Sequence, residues 1–313
     1  EVFVMKYNVI GLIDLIVSNL PDDQSDLGTK INISFSEVLN KFPDTDVVSY
    51  ENWGEASLDE ACSLARSSLE FILALDGMAS SNDDLSDLLS NAEKIFSHQI
   101  RHSIREKVCG IYAIVDPAAT NGRPVYDVVE SALSGGVAII QYRDKQNDRS
   151  VFLEQSYRIK ELCEKYDGLF VVNDAVDVAR LSGADFLHVG QSDLPVREAR
   201  KLLGNNQGIG RSNDGLKESS QSQDDGSDYL AVGAVYATST MGKSARIPVG
   251  PDTVALVKES VDLPVVAIGG INETNLSEVR DSGADSACIV SAITMSDNPE
   301  AAAKRLVSIW DRG

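Results

Sequence analysis

The sequence has few cysteines, and they are not arranged for metal binding or cross-linking. Cys62, Cys109, Cys163 and Cys288 are widely spaced in the 313 residues and form no Cys-x-x-Cys pair. This pattern argues against a zinc site or a disulfide framework and suits a reducing compartment. We therefore expect a cytoplasmic protein. Since the chain begins at Glu1, it is expected to be a piece of a longer polypeptide, and an upstream targeting segment would make it organellar.

Basic residues are also scarce. The chain has 28 Lys and Arg against 48 Asp and Glu, which gives a formal net charge of −20. Nucleic acid is an unsuitable partner, because phosphate-backbone binding needs a basic surface. A small anionic substrate requires local cations or a metal ion that overcome the general negative field.

Long apolar runs are missing too. The most apolar stretch, residues 1–20, is interrupted by Asp14 and is too short and too polar to span a membrane. It has no basic leader, so it does not resemble a signal peptide. We expect no membrane partner.

The character of the chain changes near residue 107. Before that point, apolar residues at helical spacing predict helices at 57–75 and 83–106. We interpret residues 1–107 as a small, mostly helical domain. After that point, short runs rich in β-branched residues alternate with helical segments.

Eight strand–helix units are predicted between residues 108 and 313. Continuous apolar strands indicate a parallel sheet buried on both faces, and eight units predict a compact (β/α)8 TIM barrel. The polar stretch 216–227 is expected to weaken the fifth helix and to form a mobile loop. The predicted strands are 108–116, 137–143, 168–174, 184–190, 207–212, 228–236, 263–270 and 285–292. The predicted helices are about 124–134, 149–166, 175–182, 195–203, 214–221, 251–260, 272–282 and 298–311.

Polar residues follow most of these strands. In a TIM barrel the carboxyl ends of the strands converge on one face, where the active site is built. The residues at these ends are therefore expected to lie around one mouth: Gln141, Arg143, Lys145, Asn173, Asp174, Asp193, Ser212, Thr238, Thr240, Lys243, Gly270 and Ser291.

Two carboxylates, Asp174 and Asp193, end the third and fourth strand regions and are expected to face one another across the mouth. Carboxylate oxygens are good ligands for Mg²⁺, whereas without a cation two converging carboxylates repel each other. The alternative is that each Asp caps a helix, and Asp174 could cap the helix from Ala175 as well as bind metal.

Phosphate-binding chemistry is predicted at two places. Arg143 and Lys145 alternate along the chain, so both side chains can point to one side and bind phosphate; surface charge is the alternative. Thr238 and Thr240 alternate in the same way and are expected to join them around a polyphosphate. The segments "AIGGI" and "IVSAI" after the last two strands predict a second phosphate site, built largely from backbone N–H groups.

His188 is the single histidine between residues 108 and 313. It lies within an apolar strand, so a satisfied core residue is the favoured interpretation. Its isolation argues against histidine-based acid–base catalysis.

The segments "QYRDK", "VVNDAVDVARLSGADFLHVGQSDLP", "IGRS", "GAVYATST", "VVAIGGI" and "IVSAI" occur in the order and spacing of the thiamine-phosphate synthase family, which residues 108–313 resemble. The resemblance implies a transferase of thiamine biosynthesis. In that family a Mg²⁺-bound hydroxymethylpyrimidine diphosphate loses diphosphate, and the nitrogen of a thiazole phosphate attacks the methylene carbon to give thiamine monophosphate.

The resemblance also implies residue roles. Mg²⁺ ligands are implied at Asp174 and Asp193, and catalytic roles at Arg143, Lys145 and Ser212. Contacts to the pyrimidine diphosphate are implied for Gln141, Arg143, Lys145, Asn173 and Ser212. Contacts to the thiazole phosphate side are implied for Thr238, Thr240, Gly270, Val290 and Ser291. The sequence departs from the family at Met241, where a lysine is usual, and Lys243 is the candidate to replace it.

Two alternatives stay open. A related barrel, the thiazole tautomerase, relies on a histidine near the position of Asn213, so Asn213 favours the synthase. A barrel that only senses thiamine phosphate would not need the groups around the leaving diphosphate. Residues 1–107 are interpreted as the remnant of a fused pathway enzyme, a docking domain or an oligomerisation element. Self-association of the barrel also stays open.

Overall fold

The computed structural model describes residues 16–17, 20, 22–39, 83–204, 206–238, 240 and 247–312. The chain divides into two compact units, Glu1–His102 and Ser103–Gly313. Before the barrel, the described elements are helical: a 3-10 turn at Asp22–Gln24 and α-helices at Ser25–Leu39 and Asp83–Glu106. The helix predicted at 83–106 is confirmed, while the one predicted at 57–75 lies outside the described residues.

Eight parallel strands form a closed barrel in sequence order, and β1 pairs with β8 to close it. The (β/α)8 barrel predicted from the sequence is therefore confirmed. The strands are β1 Gly110–Val115, β2 Ile139–Tyr142, β3 Leu169–Asn173, β4 Phe186–Val189, β5 Gly208–Asn213, β6 Tyr229–Val232, β7 Val265–Ile268 and β8 Ser286–Ile289.

The helices surround the barrel between and after the strands. They begin and end close to the predicted positions, with one short helix, Ser291–Thr294, that the sequence analysis did not separate from the eighth strand. The α-helices of this unit are Val125–Ser134, Arg149–Lys165, Val176–Ser182, Val196–Leu202, Leu216–Asp224, Pro251–Lys258, Leu276–Asp281, Ser291–Thr294 and Pro299–Trp310. None of the helices in the described part of the chain combines the length and apolar character needed to span a bilayer.

Strand residues alternate between two buried clusters. Side chains such as Val172 and Leu187 pack outward against the helices, while Phe186 and Tyr229 fill the barrel interior. This double burial explains why the strands read as continuous apolar runs. Glycine at β5 makes the interior packing fit, because a Cβ on Gly210 would lie 1.9 Å from the Tyr229 ring.

The polar stretch 216–227 is not a loop. It forms the helix Leu216–Asp224, so the prediction of a mobile segment is wrong. The buried face of this helix is made of serines: Ser219 and Ser222 are buried, and the Ser222 hydroxyl donates to Asn213 Oδ1 at 2.5 Å. The helix predicted at 214–221 therefore exists, but the hydrophobic pattern could not show that its polar residues pack through hydroxyl groups.

The helix predicted at 272–282 begins later, at Leu276. Asn275 explains the delay, since its Oδ1 accepts from the Asn272 backbone N–H at 2.8 Å and its Nδ2 donates to Gly270 O at 3.0 Å. These bonds hold residues 270–275 in a turn, as asparagine side chains commonly do.

Candidate active site

Two cavities of about 400 Å³ each lie among the residues that follow the strands. The first, called here the charged pocket, is lined mainly by residues in or just after β2 to β5, including Arg143, Lys145, Asp174 and Asp193. The second, the glycine pocket, is lined by residues from β6 to β8, including Gly233, Gly269 and Gly270. Ile268 lines both cavities, so they adjoin.

The predicted site residues divide between these pockets. The charged pocket contains Gln141, Arg143, Lys145, Asn173, Asp174, Asp193 and Ser212. The glycine pocket contains Thr238, Thr240, Gly270, Val290 and Ser291. Thr238 and Thr240, which follow β6, line the glycine pocket, whereas Arg143 and Lys145 line the charged pocket, so their joint contact with one polyphosphate stays a prediction. Lys243 and Met241 lie outside the described residues, so the predicted replacement stays a prediction.

Asp174 and Asp193 lie side by side. The expectation that they face each other across the mouth is wrong, since β3 and β4, which they follow, are neighbours in the barrel. Burial raises the pKa of Asp193, and a hydrogen bond with the Asp174 carboxyl raises it further. The Gly190 backbone N–H, which donates to Asp193 Oδ2 at 2.8 Å, opposes that rise in the pKa of Asp193.

These two carboxylates fit a Mg²⁺ ion that is completed by other ligands. Two ionised carboxylates in contact repel each other unless a proton or a cation lies between them. Mg²⁺ is typically held by one or two protein carboxylates together with water and substrate phosphates. Among the described residues, no group of three or more His, Cys, Asp and Glu side chains is arranged to hold a metal ion.

Asp174 does not cap the following helix. The helix Val176–Ser182 is preceded by Ala175 as its N-cap residue, without a side-chain capping bond. Asp174 instead adopts a left-handed backbone conformation, with φ of 57°. Its backbone N–H donates to His188 O at 2.8 Å, and its carboxylate contacts the Lys145 ammonium. The strained backbone holds the carboxylate at the pocket, as strain often does at functional sites.

Each cation of the charged pocket has an anionic partner. Arg143 forms an ion pair with Asp116, and Lys145 forms one with Asp174. Asp116 directly follows β1 and is 3% exposed, so the Arg143 guanidinium is held by a buried carboxylate. Asp116 was not among the residues predicted for the site, although its position after the first strand is the same signal that identified the others.

The loop that carries Arg143 and Lys145 is fixed by a buried carboxylate. Asp144 accepts hydrogen bonds from Tyr142 OH at 2.7 Å, from the Asn147 side chain at 2.8 Å, and from the backbone N–H groups of Gln146 and Asn147 at 2.9 Å. Burial alone would raise the pKa of Asp144, but the hydrogen bonds, those from Asn147 foremost, outweigh it and hold that pKa below its ordinary value.

The glycine pocket is made by backbone that a side chain would close. Gly270 has φ of +69°, and a Cβ there would lie 2.7 Å from Ala237 O. Gly269 has φ of +105° and is equally crowded, with a Cβ 2.6 Å from that of Ala234. The hydroxyl groups here are neutral: Thr238 Oγ1 accepts from the Thr240 N–H at 3.2 Å. Asn272 also lines this pocket and was missed, because it was assigned to a helix.

His188 is a buried and hydrogen-bonded residue, as favoured from the sequence. Its Nδ1 lies 2.9 Å from Tyr229 OH, and its Nε2 lies 2.9 Å from Ser212 Oγ. It also lines the charged pocket. Its contact with Ser212 places it next to a predicted catalytic hydroxyl.

Known proteins resemble this chain in sequence and structure. A family model described as thiamine monophosphate synthase matches residues 111–293. The chain is 39% identical over 225 residues to a thiamine-phosphate synthase from Synechococcus sp. (strain WH7803), covering 69% of this chain and 63% of that protein. It is 39% identical over 196 residues to one from Chloroflexus aurantiacus, covering 63% of this chain and 90% of that protein.

A solved structure is similar as well. The thiamine phosphate pyrophosphorylase from Pyrococcus furiosus superposes with a TM-score of 0.62 and is 34% identical, and the match covers 67% of this chain and 98% of that one. The match therefore covers nearly the whole length of a relative that is about the size of the barrel. In contrast, this chain spans less than two thirds of the Synechococcus protein.

Proposed function

The chain belongs to the thiamine monophosphate synthase family, and from this we propose that its barrel joins hydroxymethylpyrimidine diphosphate to a thiazole phosphate. The products are thiamine monophosphate and free diphosphate. The named relatives at 39% identity are thiamine-phosphate synthases, which supports a transferase of thiamine biosynthesis.

The observation that carries this proposal is the pair of adjoining pockets. A reaction between two phosphorylated molecules needs two anion-binding places whose ligands meet at one point. The charged and glycine pockets have equal volumes of about 400 Å³ and share Ile268. We assign the pyrimidine diphosphate to the charged pocket and the thiazole phosphate to the glycine pocket.

The reaction breaks one bond and forms another. The C–O bond between the methylene carbon and the diphosphate breaks, and its electron pair leaves with the diphosphate. The thiazole nitrogen then gives its lone pair to the methylene carbon and becomes a positively charged ring nitrogen. Neither step moves a proton, so the reaction needs no histidine base.

The task of the protein is therefore to hold and align. Arg143 and Lys145 bind the diphosphate and stabilise the negative charge that grows on it as it leaves. Ser212 and Asn173 add polar contacts in the same pocket, and the glycine pocket aligns the thiazole nitrogen with the methylene carbon. Asp174 and Asp193 would hold Mg²⁺, which when bound neutralises part of the diphosphate charge and makes it a better leaving group.

The two alternatives have less support. In a tautomerase a base would have to act near residue 213, but the buried Asn213 amide donates to Arg211 O at 2.9 Å and accepts from Ser222. A non-catalytic sensor would not need Arg143, Lys145 and two carboxylates around the leaving group. The cytoplasmic location, the role of residues 1–107 and self-association stay predictions.

A turnover assay with both substrates tests the proposal. With Mg²⁺ we expect thiamine monophosphate and diphosphate in equal amounts, and after chelation of Mg²⁺ we expect neither. A folded chain that binds both substrates but gives no product would contradict the transferase and favour the sensor. Isomerisation of a thiazole carboxylate phosphate without any use of the pyrimidine would establish the tautomerase.

A further inference from the structure

A continuous chain of hydrogen bonds crosses the interior of the barrel between two residues of the charged pocket. Gln141 Nε2 donates to Tyr112 OH at 2.6 Å, and the hydroxyls of Tyr112 and Tyr229 are 3.0 Å apart. Tyr229 OH lies 2.9 Å from His188 Nδ1, and His188 Nε2 lies 2.9 Å from Ser212 Oγ. The two ends, Gln141 and Ser212, line the pocket, while Tyr112 and Tyr229 are fully buried.

The bond donated by Gln141 Nε2 sets one direction along the chain when each following hydroxyl donates its proton to the next member. Tyr112 OH accepts from the Gln141 amide, so its single proton is free to go to Tyr229 OH. Tyr229 in turn gives its proton to His188 Nδ1, which must therefore carry no hydrogen. A neutral imidazole then holds its proton on Nε2 and donates it to Ser212 Oγ. The Ser212 oxygen accepts this bond, so the proton of the Ser212 hydroxyl is not used within the chain.

Both tyrosines keep their protons throughout. Burial raises the pKa of Tyr112 well above its ordinary value, and burial raises the pKa of Tyr229 as well. The chain is therefore built from neutral groups with one proton on each hydroxyl, and its order is set by donor and acceptor counting.

We propose that Tyr112, Tyr229 and His188 are positioning residues that fix Ser212 as a hydrogen-bond donor into the charged pocket. The inference rests on the proposed function, because only an anionic ligand makes the direction matter. A hydroxyl that donates adds to the stabilisation supplied by Arg143 and Lys145. A hydroxyl turned the other way would present lone pairs to the departing diphosphate and oppose it.

Burying these polar side chains inside the barrel costs free energy of folding. The interior of a TIM barrel is usually filled with branched apolar side chains, and a buried polar group is expensive unless it is hydrogen-bonded. Here Gly210 leaves room for the Tyr229 ring, since a Cβ at that position would lie 1.9 Å from it. A chain in which each member satisfies the next is the condition under which buried polar groups are tolerated.

The opposite direction is the specific competitor. If the Gln141 amide were rotated by 180°, its oxygen would accept from Tyr112, and every bond would reverse. His188 would then carry its proton on Nδ1, and Ser212 would donate to the imidazole instead of to the pocket. The two directions differ in one observable, the nitrogen of His188 that holds the proton.

Nitrogen NMR of the resting protein distinguishes them without any turnover. The chain has three histidines, so ¹⁵N-histidine labelling with a His188→Gln variant assigns the ring signals of His188. At a pH above the ordinary histidine pKa we expect Nδ1 unprotonated and Nε2 protonated. Tyr229→Phe and Tyr112→Phe should each give a mixture of both tautomers, because each removes a hydroxyl that links the Gln141 amide to His188. Ser156→Ala, a matched loss of a buried hydroxyl outside the chain, should leave the tautomer unchanged. A proton on Nδ1 in the unmodified protein would overturn the proposal.

A double-mutant cycle tests whether Tyr229 acts through Ser212. Tyr229→Phe should lower kcat by about tenfold, as loss of one hydrogen bond in the transition state would, with KM changed by less than about threefold. In a Ser212→Ala background the same substitution should change kcat by less than about twofold. Equal effects in both backgrounds would mean that Tyr229 is merely structural.

Folding and function are separated by two controls. Ser156→Ala removes a buried hydroxyl that bonds Phe152 O, in a helix that contributes to neither pocket, and should leave kcat unchanged. If Tyr229→Phe does not fold, His188→Leu replaces it in the double-mutant cycle. We then expect His188→Gln to have a larger kcat than His188→Leu. If the unmodified protein gives no product, the proposed function fails, while the tautomer measurement still decides the direction of the chain.

Discussion

The two pockets at the barrel mouth have the same volume but are built from different materials. The charged pocket depends on side chains, and the structure supplies each cation with a counter-charge: Asp116 for Arg143 and Asp174 for Lys145. The glycine pocket depends on backbone conformations, with positive φ at Gly269 and Gly270 and neutral hydroxyls around them. We therefore expect substitutions that change charge to impair binding in the charged pocket. Substitutions that add side-chain atoms should impair binding in the glycine pocket.

The largest effect is expected from the carboxylate pair. Asp174→Asn and Asp193→Asn should each lower kcat by about 10²- to 10³-fold, the range for loss of a group that stabilises transition-state charge. Thermal stability should change little or rise, because one of two adjacent carboxylates is neutralised. Rates are measured at saturating Mg²⁺ beside Asp177→Asn, which neutralises an exposed carboxylate of the neighbouring helix. Normal rates for both site variants would refute the metal assignment.

A methyl group added to the glycine pocket should produce the next largest effect. Gly270→Ala should raise KM for the thiazole phosphate at least tenfold, because the Cβ enters space 2.7 Å from Ala237 O. The matched control is Gly183→Ala, where φ is +66° and no atom lies within 4 Å of a Cβ. Both variants should lose about 1–2 kcal/mol of stability from the left-handed backbone.

A shared KM effect in both glycine variants would show that strain, and not the pocket, is responsible. In Gly270→Ala we also expect an unchanged KM for the pyrimidine diphosphate. This result would show that the two pockets bind their ligands independently.

Acid should weaken the charged pocket through Asp144. The folded-state pKa of Asp144 lies below its ordinary value, so as the pH falls the unfolded chain takes up the proton first. The stability that Asp144 contributes is therefore fully present above about pH 4 and is lost as the pH falls through the folded-state pKa. Asp144→Asn should cost about 1–3 kcal/mol at neutral pH and flatten the acid slope. An identical slope in the variant would contradict this role.

Removal of the first unit should have the smallest effect and should not distinguish the pockets. A chain that begins at Ser103 should keep kcat within about twofold, since a relative that is covered over 98% of its length is a barrel of this kind. A chain that begins at Val108 loses Ile104, which packs against the barrel-interior cluster, and should be about 1–2 kcal/mol less stable. Loss of activity in both chains would show that residues 1–102 complete the site.

The repeated strand–helix units of the barrel were predictable from the sequence alone. The eight strands were identifiable because each is buried on both faces and so forms a continuous apolar run, and Asp174 and Asp193 were identifiable because they end such runs. The helix predicted at 214–221 was expected to be weakened by its polar stretch, but it continues to Asp224 because serines form its buried face. The local pattern carries no sign of a contact made by hydroxyl groups.

Other features depend on which strands become neighbours. The pairing of Arg143 with Asp116 and the contact of Asp174 with Asp193 join residues that are distant or unremarkable in sequence. The hydrogen bond between Tyr112 and Tyr229 spans 117 positions. Pairing of neighbouring strands brings the first two pairs of residues together, and closure of the barrel brings Tyr112 to Tyr229.

The most direct test of the account is a crossed binding measurement. Calorimetric titration would follow Mg²⁺-diphosphate and thiazole phosphate separately in the unmodified chain, in Asp193→Asn and in Gly270→Ala. We expect Asp193→Asn to lose binding of Mg²⁺-diphosphate but to keep binding of thiazole phosphate, and Gly270→Ala to do the reverse. Loss of both ligands in either variant, or of neither in both, would contradict the division of the mouth into two anion-binding pockets.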